Sequence, residues 1–248
     1  MLKTYSSSSK SSSAHKKNQF RKVPSAQTLQ HIMAYAKAQQ VQKTACGKTQ
    51  FLLGNYTFMF AIECSLLRLL QSFHSREADV FFMLISNRWA WIPFYLLLAY
   101  FCYSAYKKQF VKILLSIALL ITLSDQAAGL VKRSVGRERP CHHAACRQWV
   151  RSPGGCGGLF GFYSSHASNS MALALFLAML FRGRRVLLSM LFCYVLLVGY
   201  SRIYLGAHFP GDILAGYFAG ACFAIVLIQA LINIPIGGHK LVLLRHED

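Results

Sequence analysis

Two histidines, a carboxylate and several long cations gather in three short polar segments of an otherwise apolar chain. The segments are K-R-S-V-G-R-E-R-P at 132–140, Y-S-S-H-A-S at 163–168 and S-R-I-Y-L-G-A-H-F-P-G-D at 201–212. In the third, Asp212 follows His208 by four residues, so a carboxylate can orient an imidazole while Arg202 holds an anion nearby. Lys132 and Arg139 of the first segment add a point charge and a second bidentate fork. Ser164, a favoured N-cap type, opens an apolar run where backbone N–H groups collect and can complete an anion cradle. This set suits phosphoryl transfer, in which preorganised cations and N–H donors neutralise the nonbridging oxygens of the transition state. His208 is the expected nucleophile, with Asp212 accepting from its other ring nitrogen. His166, whose type titrates at about 6.5, is the expected acid for the departing oxygen and the later base for water.

Each residue also has a plainer role. The cations can snorkel to the interface, Ser164 can simply cap, His166 can be a satisfied loop histidine and Asp212 can cap the last helix. Those roles leave the gathering itself unexplained, since intramembrane ionisable groups are costly.

The elements that must position these residues are apolar runs at about 51–73, 88–106, 110–131, 168–182, 186–200 and 212–234. Alternating crossings by the last five place the three polar segments on one face, and the expected fold is an all-α, polytopic membrane bundle of five or six transmembrane helices. The last run is uncharged and its small residues suit close helix packing. The first contains Glu63 and Arg68, and its second half has the pattern of a helix lying in the interface, so a sixth crossing stays open. Lys107 and Lys108, then Arg182, Arg184 and Arg185, then Lys240 and Arg245 mark the other face as cytoplasmic. Asp125 sits within an apolar run two helical turns before Lys132. A structural hydrogen bond to a neighbouring helix is the favoured reading, and a place below the site is the alternative.

The chain has 248 residues, 54% of them hydrophobic and 13% aromatic, with a formal charge of +19. About half of that charge lies in residues 1–50, which hold nine Lys or Arg and no acid and are expected to be a disordered Ser/Lys/Gln-rich tail. The membrane domain is assigned to 51–236 and a short tail to 237–248. The remaining cations fall between apolar runs without the basic and aromatic interleaving of a groove reader, so nucleic acid is excluded as a partner. Of eight cysteines, Cys141, Cys146 and Cys156 share one polar loop, where Cys141 with Cys156 is the expected bridge in an oxidising compartment. Neighbouring His142 and His143 match no zinc-ligand spacing, and no metal is expected.

The motifs resemble those of the type 2 phosphatidic acid phosphatase superfamily, which also includes the vanadium-dependent haloperoxidases. The pattern K-x(6)-R-P is matched by Lys132, Arg139 and Pro140, and S-R-x(5)-H-x(3)-D by Ser201, Arg202, His208 and Asp212. P-S-G-H is matched in part: Ser164 and His166 are retained, while Tyr163 and Ser165 stand in place of Pro and Gly. The resemblance implies a metal- and cofactor-independent lipid phosphatase that forms a phosphohistidine at the outer membrane face. His208, His166 and Asp212 are then catalytic, and Lys132, Arg139, Ser164, Ser165 and Arg202 bind the substrate. The glycine-rich loop looks most like bacterial members, implying an inner-membrane protein with a periplasmic site. Its lipid substrate would be undecaprenyl diphosphate, phosphatidylglycerol phosphate or a lipid A phosphate. A lipid phosphotransferase using the same site, a phosphate-binding transporter and a haloperoxidase are the alternatives. The loop at 141–162 is expected to help shape the substrate pocket.

Overall fold

The computed structural model describes the backbone of residues 47–233 and the side chains of 59–231. Most of the basic tail, and the C-terminal tail at 237–248, lie outside the described residues. Residues from Thr57 onward form one compact unit, and the description concerns that unit.

Among the described residues the regular elements are all helical. They are α1 (Gly47–Leu70), α2 (Arg76–Ser86), α3 (Ile92–Tyr106), α4 (Phe110–Val135), α5 (Ser165–Leu180), α6 (Arg185–Tyr204) and α7 (Pro210–Asn233). Short 3-10 turns at Arg88–Trp91 and Lys107–Gln109 lead into α3 and α4. The apolar runs predict all of these except α2. That helix carries its own start signal: Ser75 accepts a hydrogen bond from the Ala78 N–H at 3.1 Å, and Glu77 and Asp79 occupy the positive first turn.

Arg88–Val135, Arg185–Tyr204 and Pro210–Leu231 are each long and apolar enough to cross a membrane. The first is a pair, because the three-residue turn at 107–109 folds α4 back along α3. The Tyr106 hydroxyl donates to the Leu180 carbonyl at 2.6 Å and its ring meets Phe181 edge-on. The basic turns after α3 and α5 therefore share one end of the bundle, and Lys132, Ser165 and Arg202 lie at the other, as alternating crossings require. Large apolar side chains such as Leu115, Phe192, Leu214, Phe218 and Val226 point outward, which is the pattern of helices solvated by lipid.

α5 is the inner helix. At 16 residues it is about 24 Å long, less than a bilayer core needs, yet it packs against α4, α6 and α7 with Ala167, Ala172, Phe176 and Leu180 fully enclosed. Two contacts fix its height. Ser124 of α4 meets Ser168 through their hydroxyls at 2.7 Å. On the other side Gly216 and Gly220 of α7 let the backbones touch, since a Cβ on Gly216 would stand 2.6 Å from the Ser164 carbonyl. Without a hydrophobic force between helices in lipid, such close packing is what holds them together.

Two left-handed residues end the helices that carry the cations. Gly136 (φ 63°) closes α4 by donating its N–H to the Lys132 carbonyl, and Gly206 (φ 65°) turns the chain after α6. Glycine adopts this conformation without a Cβ penalty. Each turn delivers the chain into a segment with a functional side chain.

Candidate active site

The three polar segments converge at the end of the bundle away from the basic turns. From α4, the Lys132 ammonium donates to the Ser165 hydroxyl at the start of α5, 3.1 Å away. Beyond Gly136 the chain runs extended. Glu138 bridges Phe160, and the Gly161 N–H donates to the Arg137 carbonyl at 2.8 Å, so 137–139 is strapped to 159–161. This strap aims Arg139, whose Nε donates to the Phe160 carbonyl at 3.3 Å and Nη1 to the Ala207 carbonyl at 3.4 Å. Both bonds are long, leaving the guanidinium with donor capacity for an anion.

Ser164 is the N-cap of α5. Its hydroxyl accepts from the Ala167 N–H at 3.4 Å, its own N–H donates to the Asp212 carbonyl at 3.1 Å, and the residue is fully buried. The plain capping role of this serine is therefore real. The Ser165 and His166 amides keep no partner among the described residues, as the first N–H groups of a helix do until a cap or ligand supplies one. The His166 ring stands exposed at the mouth of a cavity and feels the charges of Arg202, Lys132 and Arg139 and the nearby His208 ring.

Arg202, in the last turn of α6, donates through Nη1 to the Ser86 hydroxyl, which ties it to α2. Its Nε is buried and has no hydrogen-bond partner among the described residues. His208 follows the Gly206 turn and is 1% exposed, with Nδ1 facing Asp212 Oδ2 at 3.5 Å. That separation exceeds a hydrogen bond, and Nδ1 has no other partner among the described residues, so the imidazole waits beside its carboxylate. Burial, reinforced by Arg139, Arg202 and Lys132, holds the His208 pKa well below its ordinary range; a hydrogen bond with the Gly161 backbone acts the other way. The resting ring is neutral, as a nucleophile requires.

Asp212 is held by groups that the motif reading leaves out. The Phe209 N–H donates to Oδ2 at 3.0 Å and Arg137 Nη1 donates to Oδ1 at 2.7 Å. The same guanidinium pairs with Glu63 of α1 through Nη2 and lies 4.5 Å from the centre of the Phe209 ring. Glu63 in turn accepts from the Gly211 N–H at 3.1 Å. Arg137 is one of four cations in the segment 132–140, and spacing alone does not single it out. Glu63 is visible as an acid in an apolar run, which is the one signal that marks it.

The loop at 141–162 contributes nothing to the walls of the main cavity. It braces the outer end instead. The Gln71 side-chain amide donates to the carbonyls of Arg151 (2.9 Å) and Tyr204 (2.8 Å), Arg151 pairs with Asp79 at 2.8 Å, and Tyr204 donates to Asp79 at 2.8 Å. Cys141 and Cys156 are disulfide-bonded, and Cys146 packs with its sulfur 2.9 Å from that of Cys64. His142 lies beside the bonded pair, whose sulfurs are engaged with each other.

Below the site a cavity of about 620 Å³ lies among α3, α4, α5 and α6. Ser165 and His166 stand at its upper end, and Phe110, Ile113 and Leu177 line its far end. Asp125 lines it too. The expected structural hydrogen bond to another helix is not made: among the described residues Asp125 has no hydrogen-bond partner or ion pair, and it is exposed to the cavity.

Comparison with known proteins gives concordant results. Residues 88–234 match the model of the PAP2 superfamily. A lipid A 4'-phosphatase of Bacteroides thetaiotaomicron is 35% identical over 168 residues, which is 66% of this chain and 74% of the relative. One from Porphyromonas gingivalis is 32% identical over 166 residues, covering 66% and 70%. The solved structure of Aquifex aeolicus LpxE superposes with a TM-score of 0.51 at 24% identity, covering 66% of this chain and 93% of the other. A transmembrane PAP2 type phosphatidylglycerolphosphate phosphatase from Bacillus subtilis does so with a TM-score of 0.52 at 18% identity, covering 69% and 85%. These two likenesses concern the fold.

Proposed function

From the premise that this chain belongs to the PAP2 superfamily and is a membrane lipid phosphatase, we propose that it hydrolyses a phosphate monoester on a lipid A-type glycolipid. The names of the two relatives given above favour that lipid over a prenyl diphosphate or phosphatidylglycerol phosphate. The observation that carries the chemistry is the buried, neutral His208 beside Asp212 and facing three cations.

In this reading Lys132, Arg139 and Arg202, with the Ser165 hydroxyl and the free amides of Ser165 and His166, hold the three nonbridging oxygens. Ser164 supports that cradle as the cap beneath it. His208 Nε2 attacks phosphorus, a P–N bond forms and the bond to the lipid oxygen breaks. His166 gives its proton to that oxygen. Asp212 closes on Nδ1–H as positive charge builds on the ring; catalytic hydrogen bonds are commonly long in the empty site and tighten during reaction. His166 then takes a proton from water, whose oxygen displaces His208 from phosphorus and releases inorganic phosphate. The site lies beside lipid, so the phosphate can enter while the acyl chains keep apolar surroundings.

Alternation of α3–α7 gives five crossings, with the catalytic end on the periplasmic side of a bacterial inner membrane; the basic turns at 107–108 and 182–185 support this orientation. The membrane domain covers 51–236. Purified protein in detergent, given lipid A phosphate, phosphatidylglycerol phosphate and undecaprenyl diphosphate in parallel with chelator present, is expected to release phosphate fastest from the first. Preference for the diphosphate would overturn the assignment of substrate, and full activity of His208→Ala would overturn the mechanism.

A further inference from the structure

The cavity changes chemistry along its length, and its middle band is unexplained by phosphate binding. Two contacts between α4 and α5 set the levels. Lys132 with Ser165 marks the upper one and Ser124 with Ser168 the lower. The sequence neighbours of the lower pair, Asp125 and Asn169, therefore stand at the same depth, and both line the cavity together with Gln126. Asn169 follows His166 by three residues, about one helical turn or roughly 5 Å deeper. Its Oδ1 is buried without a hydrogen-bond partner among the described residues. Asp125 and Gln126 also make no hydrogen bond among the described residues. The Lys132 charge reaches Asp125 from two turns above, but no ion pair forms. Unpaired polar groups at membrane depth are costly and mark sites by default. Further down the walls become apolar, with Ile117, Leu173 and Ile113.

We infer that Asp125, Gln126 and Asn169 form a second subsite, which hydrogen-bonds neutral donors on the alcohol half of the substrate next to the phosphate. The inference rests on the reading of His208 and its cations as the phosphate site. His166 protonates the leaving oxygen, so the atoms attached to that oxygen descend to the level one turn below. The groups found there are a carboxylate that only accepts and two amides that accept and donate. They fit hydroxyl and amide N–H groups on a sugar or another hydroxylated headgroup. A prenyl chain offers this band nothing. A diphosphate would bring its second anionic group toward the Asp125 carboxylate, which repels it. Below the phosphate site the cavity thus matches the rest of an amphiphile in the order hydrogen-bonding ring and acyl chain. Asp125, Gln126 and Asn169 are specificity-determining residues in this scheme, with no part in bond-making.

The test compares kcat/KM for two substrates in the same detergent: a monophosphorylated, N-acylated glucosamine lipid and a prenyl monophosphate that has no donor beyond its phosphate. The wild-type ratio is expected to favour the sugar lipid. In Asp125→Ala and Asn169→Ala that ratio is expected to fall about tenfold or more, the usual effect of losing hydrogen bonds to buried or charged groups. Asp125→Asn keeps the shape and an acceptor, so it guards against a merely misfolded variant. Its ratio should fall by less, and its relative rate on a prenyl diphosphate should rise. A ratio that stays constant across these variants overturns the subsite while leaving the phosphatase reading intact. Absence of phosphate release from every lipid by the wild type overturns both.

Discussion

Arg137 is the residue on which sequence and structure differ most, and replacing it gives a quantitative test of how Asp212 is held. Its side chain is 17% exposed and forms two charged arms, one to the fully buried Asp212 and one to Glu63, itself 18% exposed. Arg137→Ala strands the Asp212 carboxylate with the Phe209 N–H as its remaining close donor. Removing one partner of a buried pair costs about 3–5 kcal/mol, and the low end applies because water reaches part of the guanidinium. The partly exposed Glu63 arm adds about 0.5 kcal/mol, and the stacking on Phe209 about 0.5–1 kcal/mol. The total is about 4 kcal/mol, so the apparent melting point at a fixed scan rate in detergent should drop by on the order of 10 °C. Because the same carboxylate orients His208, kcat should fall about ten- to a hundredfold with little change in KM. Arg137→Lys can satisfy one arm and should lie between, whereas Glu63→Gln should cost less than about 1 kcal/mol. An Arg137→Ala protein with wild-type stability and kcat would refute the argument that this guanidinium anchors Asp212.

The acid limb of kcat/KM belongs to the free enzyme, where burial and three cations keep His208 neutral. A lowered pKa means that the nucleophile loses activity only below the ordinary histidine range near 6.5; the limb assigned to it should lie below that pH and move upward in Arg139→Gln, which removes one of the cations. Gly216→Ala would push a methyl group against the Ser164 carbonyl and Ala167. It should lower stability by about 1–3 kcal/mol and reduce activity, because the contact it forces apart seats the first turn of α5; both are measurable by thermal shift and phosphate release.

The helices and the chemistry were legible in the sequence for separate reasons. Membrane spans reveal themselves by apolar length, and α4, α6 and α7 are found on that ground alone. The close contact of α7 with α5 is likewise announced by small residues, Gly216 and Gly220, at helical spacing. Motif spacing gathers Lys132, Arg139, Arg202, His208 and Asp212, since each is placed by its own helix end. Residues that work across the fold were less visible. Arg137 and Glu63 are separated by 74 positions and meet only because the strap at 137–139 passes over α1. α2 was hidden because its 11 residues are amphipathic and none is fully buried, so the capping Ser75 and the two acids after it are its only strong mark. Asp125 carried the right signal, an acid at membrane depth, but whether it meets a helix or a cavity depends on how α3 and α4 diverge.

In this mechanism His208 carries the phosphoryl group, and the most direct measurement is to trap it there. Labelled lipid monophosphate mixed with enzyme and quenched in alkali within one turnover should leave protein-bound phosphate that is stable to base and released by acid. His208→Ala should carry none, and in His166→Ala, which lacks both the acid for the leaving oxygen and the base for water, the label should form and decay more slowly than in the wild type. Base-stable label on the His208→Ala protein, or steady turnover by the wild type with no labelled protein at any quench time, would contradict the account.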